Sequence, residues 1–213
     1  WTDGLMIHPD FLREVKQRYP NLLILADGTQ YLGAFTLDFD QSGIDVLGAS
    51  GYKWMLGGNG NGFMVLSKAA EARIGVRSSG FNATGGDLSF SGPLSLARSL
   101  EPGHLDSLNF GSLHYSLGLF LGLGLDEVAA RNRAMSKKVR EALAERGMLD
   151  AGLASRKHHS TIVNIPFNEA RFRALGERGF VSSRRGGGIR LSFHVYNTMD
   201  DLGQLMACLK KAG

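Results

Sequence analysis

An α/β architecture followed by a separate C-terminal α+β unit is what this 213-residue sequence predicts. Three observations lead there. Residues 22–26 (LLILA) form an unbroken apolar run closed by Asp27-Gly28, the pattern of a strand buried on both faces of a parallel sheet. An amphipathic helix precedes that run, and two further strand-like segments follow it across loops, which is the grammar of an α/β layer. From about residue 123 the rhythm changes to longer amphipathic helices mixed with short strands. The expected domains are therefore residues 1–122, with a mainly parallel sheet, and residues 123–213.

Each element has a local reason. Residues 8–19 (HPDFLREVKQRY) predict a short helix: Pro9 and Asp10 suit a first turn, Phe11, Leu12, Val15 and Tyr19 share a face, and Pro20 ends it. Residues 44–49 (IDVLGA) predict a second strand, leading into the polar turn Ser50-Gly51-Tyr52-Lys53. After the glycine-rich segment 57–62 a third strand is expected at 63–66. Residues 76–109 are rich in Gly, Ser and Pro without a sustained period, and predict a long loop with short helical pieces. Apolar helical residues run from Leu113 to Leu123. A helix from Asp126 to about Arg146 turns Val128, Met135, Val139 and Leu143 inward. Strands are expected at 161–165 and 189–193, a helix at 168–178, and a last helix from Met199 to Lys211. Thr198 with Asp201 three residues on makes a capping-box start for that last helix. Its stripe of Met199, Leu202, Leu205, Met206 and Leu209 reads as core.

Composition excludes several classes. Lys and Arg total 24 against 20 acidic residues, and no basic stripe of the kind nucleic-acid binders carry is visible. The single cysteine, Cys208, cannot form an intramolecular disulfide, which points to an intracellular, cytoplasmic protein. The most apolar stretch, 117–125, is shorter than the ~20 residues a spanning helix needs. Neither a P-loop nor a dinucleotide fingerprint is formed, because Lys53 precedes the glycines and no Lys-Ser/Thr follows them. His158-His159 has no further ligand at metal spacing and is expected in a surface loop. No metal site is expected. The 29 glycines are about twice the usual ~7% share, and many cluster where a backbone would have to turn sharply.

Two segments carry chemistry. In residues 26–34 (ADGTQYLGA) a carboxylate stands at a strand end with Gln30 three residues on. In residues 49–63 (ASGYKWMLGGNGNGF) a lysine sits in a tight turn between a strand and a glycine-rich loop. Asp27, Gln30, Gly33, then Ser50-Gly51-Tyr52-Lys53 and Gly60-Asn61-Gly62 together resemble the pattern of the class V aminotransferase family. That family includes cysteine desulfurases, selenocysteine lyases, isopenicillin N epimerases and kynureninases. A third segment, residues 185–197 (RGGGIRLSFHVYN), extends the resemblance towards the end of the chain.

The resemblance implies a fold-type-I enzyme dependent on pyridoxal 5'-phosphate. It implies that the enzyme acts on an amino acid through a Schiff base with Lys53, whose amine would then shuttle protons at the substrate α-carbon. Asp27 would keep the cofactor's pyridine nitrogen protonated, and Gln30 would hydrogen-bond the ring oxygen. Ser50 and Tyr52 would donate to the phosphate, Tyr52 standing where many members have His. Arg190 would grip the substrate α-carboxylate, a task that suits a planar, permanently charged fork. His194, Tyr196 and Asn197 are expected to be structural.

The match departs in places. Relatives have a Gly-Thr-x-Asn segment that reaches the neighbouring subunit's cofactor phosphate. Its local counterpart here is Asp106-Ser107-Leu108-Asn109, which makes Ser107 a phosphate donor across an expected homodimer with a shared active site. Residues 180–189 hold no cysteine, which argues against persulfide-forming desulfurase chemistry and leaves transamination, elimination and epimerisation open. The phosphate-cupping loop and the ring-stacking aromatic of relatives would precede Trp1, so the expectation is the later part of a longer enzyme. A non-catalytic remnant or scaffold is the alternative, and the expected partners include neither nucleic acid nor membrane.

Overall fold

The computed structural model describes residues 2–87 and 89–211. Leu88, inside the long loop expected at 76–109, lies outside the described residues. The chain divides into two compact units: residues 9–32 with 37–121, and 122–213 joined by the segment ending at His8 and by Gly33–Thr36.

The first unit is built on a three-stranded sheet. Its elements are α1 (Pro9–Arg18), β1 (Leu25–Asp27), α2 (Phe39–Ser42), β2 (Val46–Ser50), β3 (Gly62–Leu66), α3 (Lys68–Glu71), α4 (Phe81–Thr84), α5 (Leu96–Leu100) and α6 (Ser107–Leu123). Strand order is β1-β2-β3. The β1–β2 pair is parallel, with Asp27 opposite Gly48, and the β2–β3 pair is antiparallel, with Ser50 opposite Gly62. The expected mainly parallel sheet is thus half antiparallel in these strands. The physical reason is the connection: residues 51–61 fold back as a loop, whereas a parallel return needs a crossover of about a dozen or more residues, usually helical.

A second correction concerns β1. It is a short strand at the sheet edge, not one buried on both faces: Leu25 is 69% exposed and Leu22 is also exposed. Among the described residues only β2 pairs with it, and its side chains alternate between exposed Leu25 and Asp27 and half-buried Ala26. Helix α1 forms where expected, yet none of its residues is fully buried, and Phe11 and Tyr19 are exposed. A buried charge cluster ties it down instead. Lys16 Nζ donates to both oxygens of Asp45 at 2.9 and 2.7 Å, while the Ile24 amide and Ser67 hydroxyl donate to the same carboxylate. On the site side of the sheet, Ala49, Met55 and Leu113 form a small core with Leu32 and Leu117 packed on it.

The second unit contains α7 (Leu125–Ala144), α8 (Ala151–Ser155), β4 (Ile162–Pro166), α9 (Glu169–Glu177), β5 (Ser183–Arg185), β6 (Gly188–Ser192) and α10 (Met199–Lys211). Its antiparallel sheet runs β4-β6-β5. The inward residues of α7 are those the helical period selects: Val128, Met135, Val139 and Leu143 are all buried. Met135, Val139 and Leu143 meet β4, β6 and α10 in one core that includes Val163, Ile165, Leu175, Ile189 and Leu205.

The capping box is present in both directions. The Thr198 amide donates to Asp201 Oδ2 at 2.8 Å and the Asp201 amide to Thr198 Oγ1 at 3.2 Å. Met199 is the exception in the apolar stripe of α10, exposed in the first turn, where that turn projects past the core. His159 also departs from the expected surface loop. It is buried against Gly4, its Nδ1 is 2.8 Å from the Ser160 carbonyl, and Leu5 bridges to it. Among the described residues no helix is long and apolar enough to cross a membrane.

Candidate active site

Parallel pairing delivers the ends of β1 and β2 to the same edge of the sheet, and of the residues singled out in the sequence Asp27, Gln30, Ser50, Tyr52 and Lys53 lie at those ends. The turn after β1 is closed by the Tyr31 and Leu32 amides donating to Gly28 O at 2.8 and 2.9 Å, and the Gly28 amide extends the ladder to Gly48 O. Asp27, now at a strand end, accepts from the Thr29 amide at 2.9 Å. The Thr29 side chain beside the Asp27 carboxylate is the chief cause of its lowered pKa, with the Thr29 amide next and the Lys53 charge contributing. Exposure to solvent and these neighbours both favour the ionised form of Asp27.

Thr29 has a second role. Its Oγ1 accepts the Ser50 amide at 3.0 Å, so one buried hydroxyl links the tip of β1 to the tip of β2. Gln30, one residue on, receives the indole N–H of Trp54 on its Oε1 at 2.7 Å. Asp27, Gln30, Ser50 and the Tyr52–Lys53 turn are thereby held in one hydrogen-bonded group. Lys53 is half-buried and Tyr52 exposed, with the Lys53 Nζ 5.6 Å from the Tyr52 ring centroid.

Small residues make the Ser50–Lys53 turn possible. A Cβ on Gly51 would collide with Asn61 Oδ1, and one on Gly62 would press on the Ala49 carbonyl. The Gly51 amide donates to Asn61 O, and the Gly57 amide returns to Gly51 O at 2.9 Å. The loop is then pinned to α6: Asn61 Nδ2 donates to Asn109 O at 2.7 Å and the Gly58 amide to Ser112 Oγ at 3.0 Å. Leu56 takes a left-handed conformation, φ 57°, between those anchors.

Ser107 begins α6, beside that anchored loop, and is exposed. Asp106 caps the helix by accepting the Leu108 and Asn109 amides at 3.0 Å each. Among the described residues no hydrogen bond links Ser107 to the Asp27–Lys53 group. Arg190 belongs to the second unit, on β6 opposite Asn164 and Ser183, half-buried. Burial first and the Arg185 charge second lower its pKa. Nearby, the His194 and Tyr196 rings stack at 4.8 Å with 6° between planes, and Asn197 Oδ1 accepts the His194 amide at 2.9 Å. These residues shape the turn leading into α10.

Sequence reasoning missed Thr29 and Trp54. Thr29 carries a signal in hindsight, a hydroxyl between the acid and the amide of the first motif. Trp54 reads as core from its apolar ring, and only its neighbour across 24 residues reveals the indole bond.

A carboxylate, an amide, hydroxyls and an amine at the carboxyl ends of parallel strands define the ligand edge of an α/β protein. The particular family follows from the whole chain. Residues 5–205 match the model of aminotransferase class V, and the chain belongs to that family, whose members use pyridoxal phosphate.

Solved structures agree on the fold. The chain is similar to the protein C-DES with glycine covalently linked to its PLP cofactor, at 19% identity and TM-score 0.82, covering 100% of this chain and 58% of that one. It is similar as well to the cystine C–S lyase C-DES with its product cysteine persulfide, at 18% identity and TM-score 0.81, covering 100% and 59%. An apo cysteine desulfurase from Thermococcus onnurineus NA1 matches at 17% identity and TM-score 0.78, covering 98% and 56%. The chain thus spans less than three-fifths of each of these structures. No curated protein matches the sequence at significance.

Proposed function

We propose that this chain carries the lysine-bearing wall of a pyridoxal-phosphate-dependent enzyme that acts on an amino acid, with Lys53 as the residue that attaches to the cofactor. The observation that carries the reading is the single hydrogen-bonded group at the ends of β1 and β2, where Asp27, Thr29, Ser50, Gln30 and Trp54 surround the Lys53 turn. The donor set fits the cofactor's chemistry. An ionised carboxylate suits a protonated pyridine nitrogen, an amide suits a ring oxygen, and hydroxyls beside a glycine turn suit a phosphate.

Pyridoxal phosphate, when bound, supplies an electron sink for a bond broken at the substrate α-carbon. The rest is the work of this chain's residues. Asp27 holds the proton on the ring nitrogen, and Thr29 keeps Asp27 ionised and aimed. Gln30 donates to the ring oxygen, and Ser50 and Tyr52 hold the phosphate. The Lys53 amine would carry the proton to or from the substrate α-carbon. Arg190 binds the α-carboxylate. Ser107 donates to a phosphate across a homodimer of a cytoplasmic enzyme.

Persulfide-forming chemistry is disfavoured by the same reasoning. Residues 180–189 contain no cysteine, and Cys208 is buried in α10, away from solvent. A transaminase, lyase or epimerase outcome fits these residues better.

The test is borohydride trapping with pyridoxal phosphate on the full-length protein, followed by peptide mass mapping. An adduct on Lys53, lost in Lys53→Ala with turnover abolished and the fold kept, is the expected result. A folded protein with no adduct would overturn this reading in favour of a non-catalytic scaffold.

A further inference from the structure

The indole of Trp54 has no acceptor atom. Its Nε1–H can only donate. At 2.7 Å from the Gln30 side chain it must therefore face the carbonyl oxygen, which decides the orientation of that amide on chemical grounds alone. Trp54 is itself only 6% exposed, so the donor is desolvated and held by packing. Rotating the Gln30 amide by 180° would set an NH2 group against the indole N–H and leave that buried donor unsatisfied. The Gln30 amide is thus locked with its Oε1 inward and its Nε2 hydrogens turned away from Trp54.

We propose that Trp54 is a positioning residue that makes Gln30 an obligatory hydrogen-bond donor, so that the site selects a ligand with an acceptor at the ring-oxygen position. This inference rests on the reading of Gln30 as a cofactor contact. A free glutamine can present either end of its amide, and half of its orientations would meet a ring oxygen with a second oxygen. With Trp54 in place, only the donor orientation persists. The lock is chain-local: Trp54 follows Lys53 directly, so the turn that presents the lysine also orients the amide.

The experiment measures binding rather than turnover. The full-length protein is titrated with pyridoxal phosphate and with an analogue lacking the ring oxygen, and the ratio of the two dissociation constants is taken. Trp54→Phe removes the N–H donor. The benzothienyl isostere of tryptophan, incorporated at position 54, keeps the ring shape without the N–H and guards against a packing defect. A freed Gln30 amide spends about half its time in the donor orientation, so the preference for pyridoxal phosphate should fall about 2-fold in both variants. In a Gln30→Ala background the same changes should leave the ratio as it is.

Equal weakening of both ligands, or an unchanged ratio, in the isostere variant would overturn the proposal. So would a shift that persists in the Gln30→Ala background, since Trp54 would then act through something else. Failure of the underlying reading looks different: wild-type protein that binds neither ligand and gives no trapped Lys53 overturns both.

Discussion

Thr29→Val tests whether the two strand tips are held together as described. Thr29 is 8% exposed, and its Oγ1 accepts the Ser50 amide at 3.0 Å while its side chain lowers the pKa of Asp27. Valine keeps the branched shape but faces the Ser50 N–H with a methyl group. An orphaned donor there costs about 1–3 kcal/mol, and the lost interaction with the exposed Asp27 carboxylate adds about 0.5 kcal/mol. The sum, about 1.5–3.5 kcal/mol, would move a urea midpoint by roughly 1 M at an m-value of about 2 kcal/mol/M. Thr29→Ser keeps the hydroxyl and loses one methyl group, so it should stay within about 1 kcal/mol of wild type.

The sign of the pH dependence is fixed too. Asp27 has a folded pKa below its ordinary 3.8, so its stabilisation is present above that value and is lost as pH falls through the folded one. The gap between the valine variant and wild type should therefore narrow in strong acid only by the Asp27 share, about 0.5 kcal/mol, while the Ser50 share persists. A Thr29→Val protein with the wild-type urea midpoint at neutral pH would refute the bridge.

Three further outcomes follow from named contacts. Asp45→Ala leaves the partly buried Lys16 ammonium without its counter-charge, with the Leu22 carbonyl still accepting from it, and the Ile24 amide without its acceptor, and should cost about 3–5 kcal/mol in chemical denaturation; a loss under about 1 kcal/mol would mean that water replaces the carboxylate. Burial, the largest cause, lowers the pKa of His159 below its ordinary 6.5. The unfolded chain then takes up the proton first, so thermal stability should decline as pH falls from about 6.5, and His159→Asn should flatten that decline. Arg190→Ala should weaken apparent amino-acid affinity about 10-fold or more with the fold retained, and unchanged affinity would remove Arg190 from the substrate site.

How much of this was legible depends on the range of the interaction. The inward face of α7, the capping box at Thr198–Asp201 and the turn chemistry after β1 and β2 all come from residues within a few positions of one another. Their periodicity and hydrogen bonding are local, so the chain itself determined them. The candidate site residues Asp27, Gln30, Ser50 and Lys53 stood out through their resemblance to a family pattern, which is itself written in short local segments.

What lies between distant segments was decided only by tertiary structure. The apolar run predicted a strand buried on both faces, but burial depends on which distant segments pair with and pack on the strand, and among the described residues β1 pairs only with β2 and leaves Leu25 exposed. The direction of β3 came from how residues 51–61 close on themselves, a property of loop path rather than of strand composition. The bond from the Ser50 amide to the Thr29 hydroxyl and the Trp54–Gln30 bond join groups 21 and 24 residues apart. A hydroxyl or an indole acquires such a partner only when the sheet brings two turns to the same edge. The sequence by itself determined the chemical groups of this protein and the local turns that present them; the fold decided which of them meet, because a hydrogen bond depends on distance in space and not on separation along the chain.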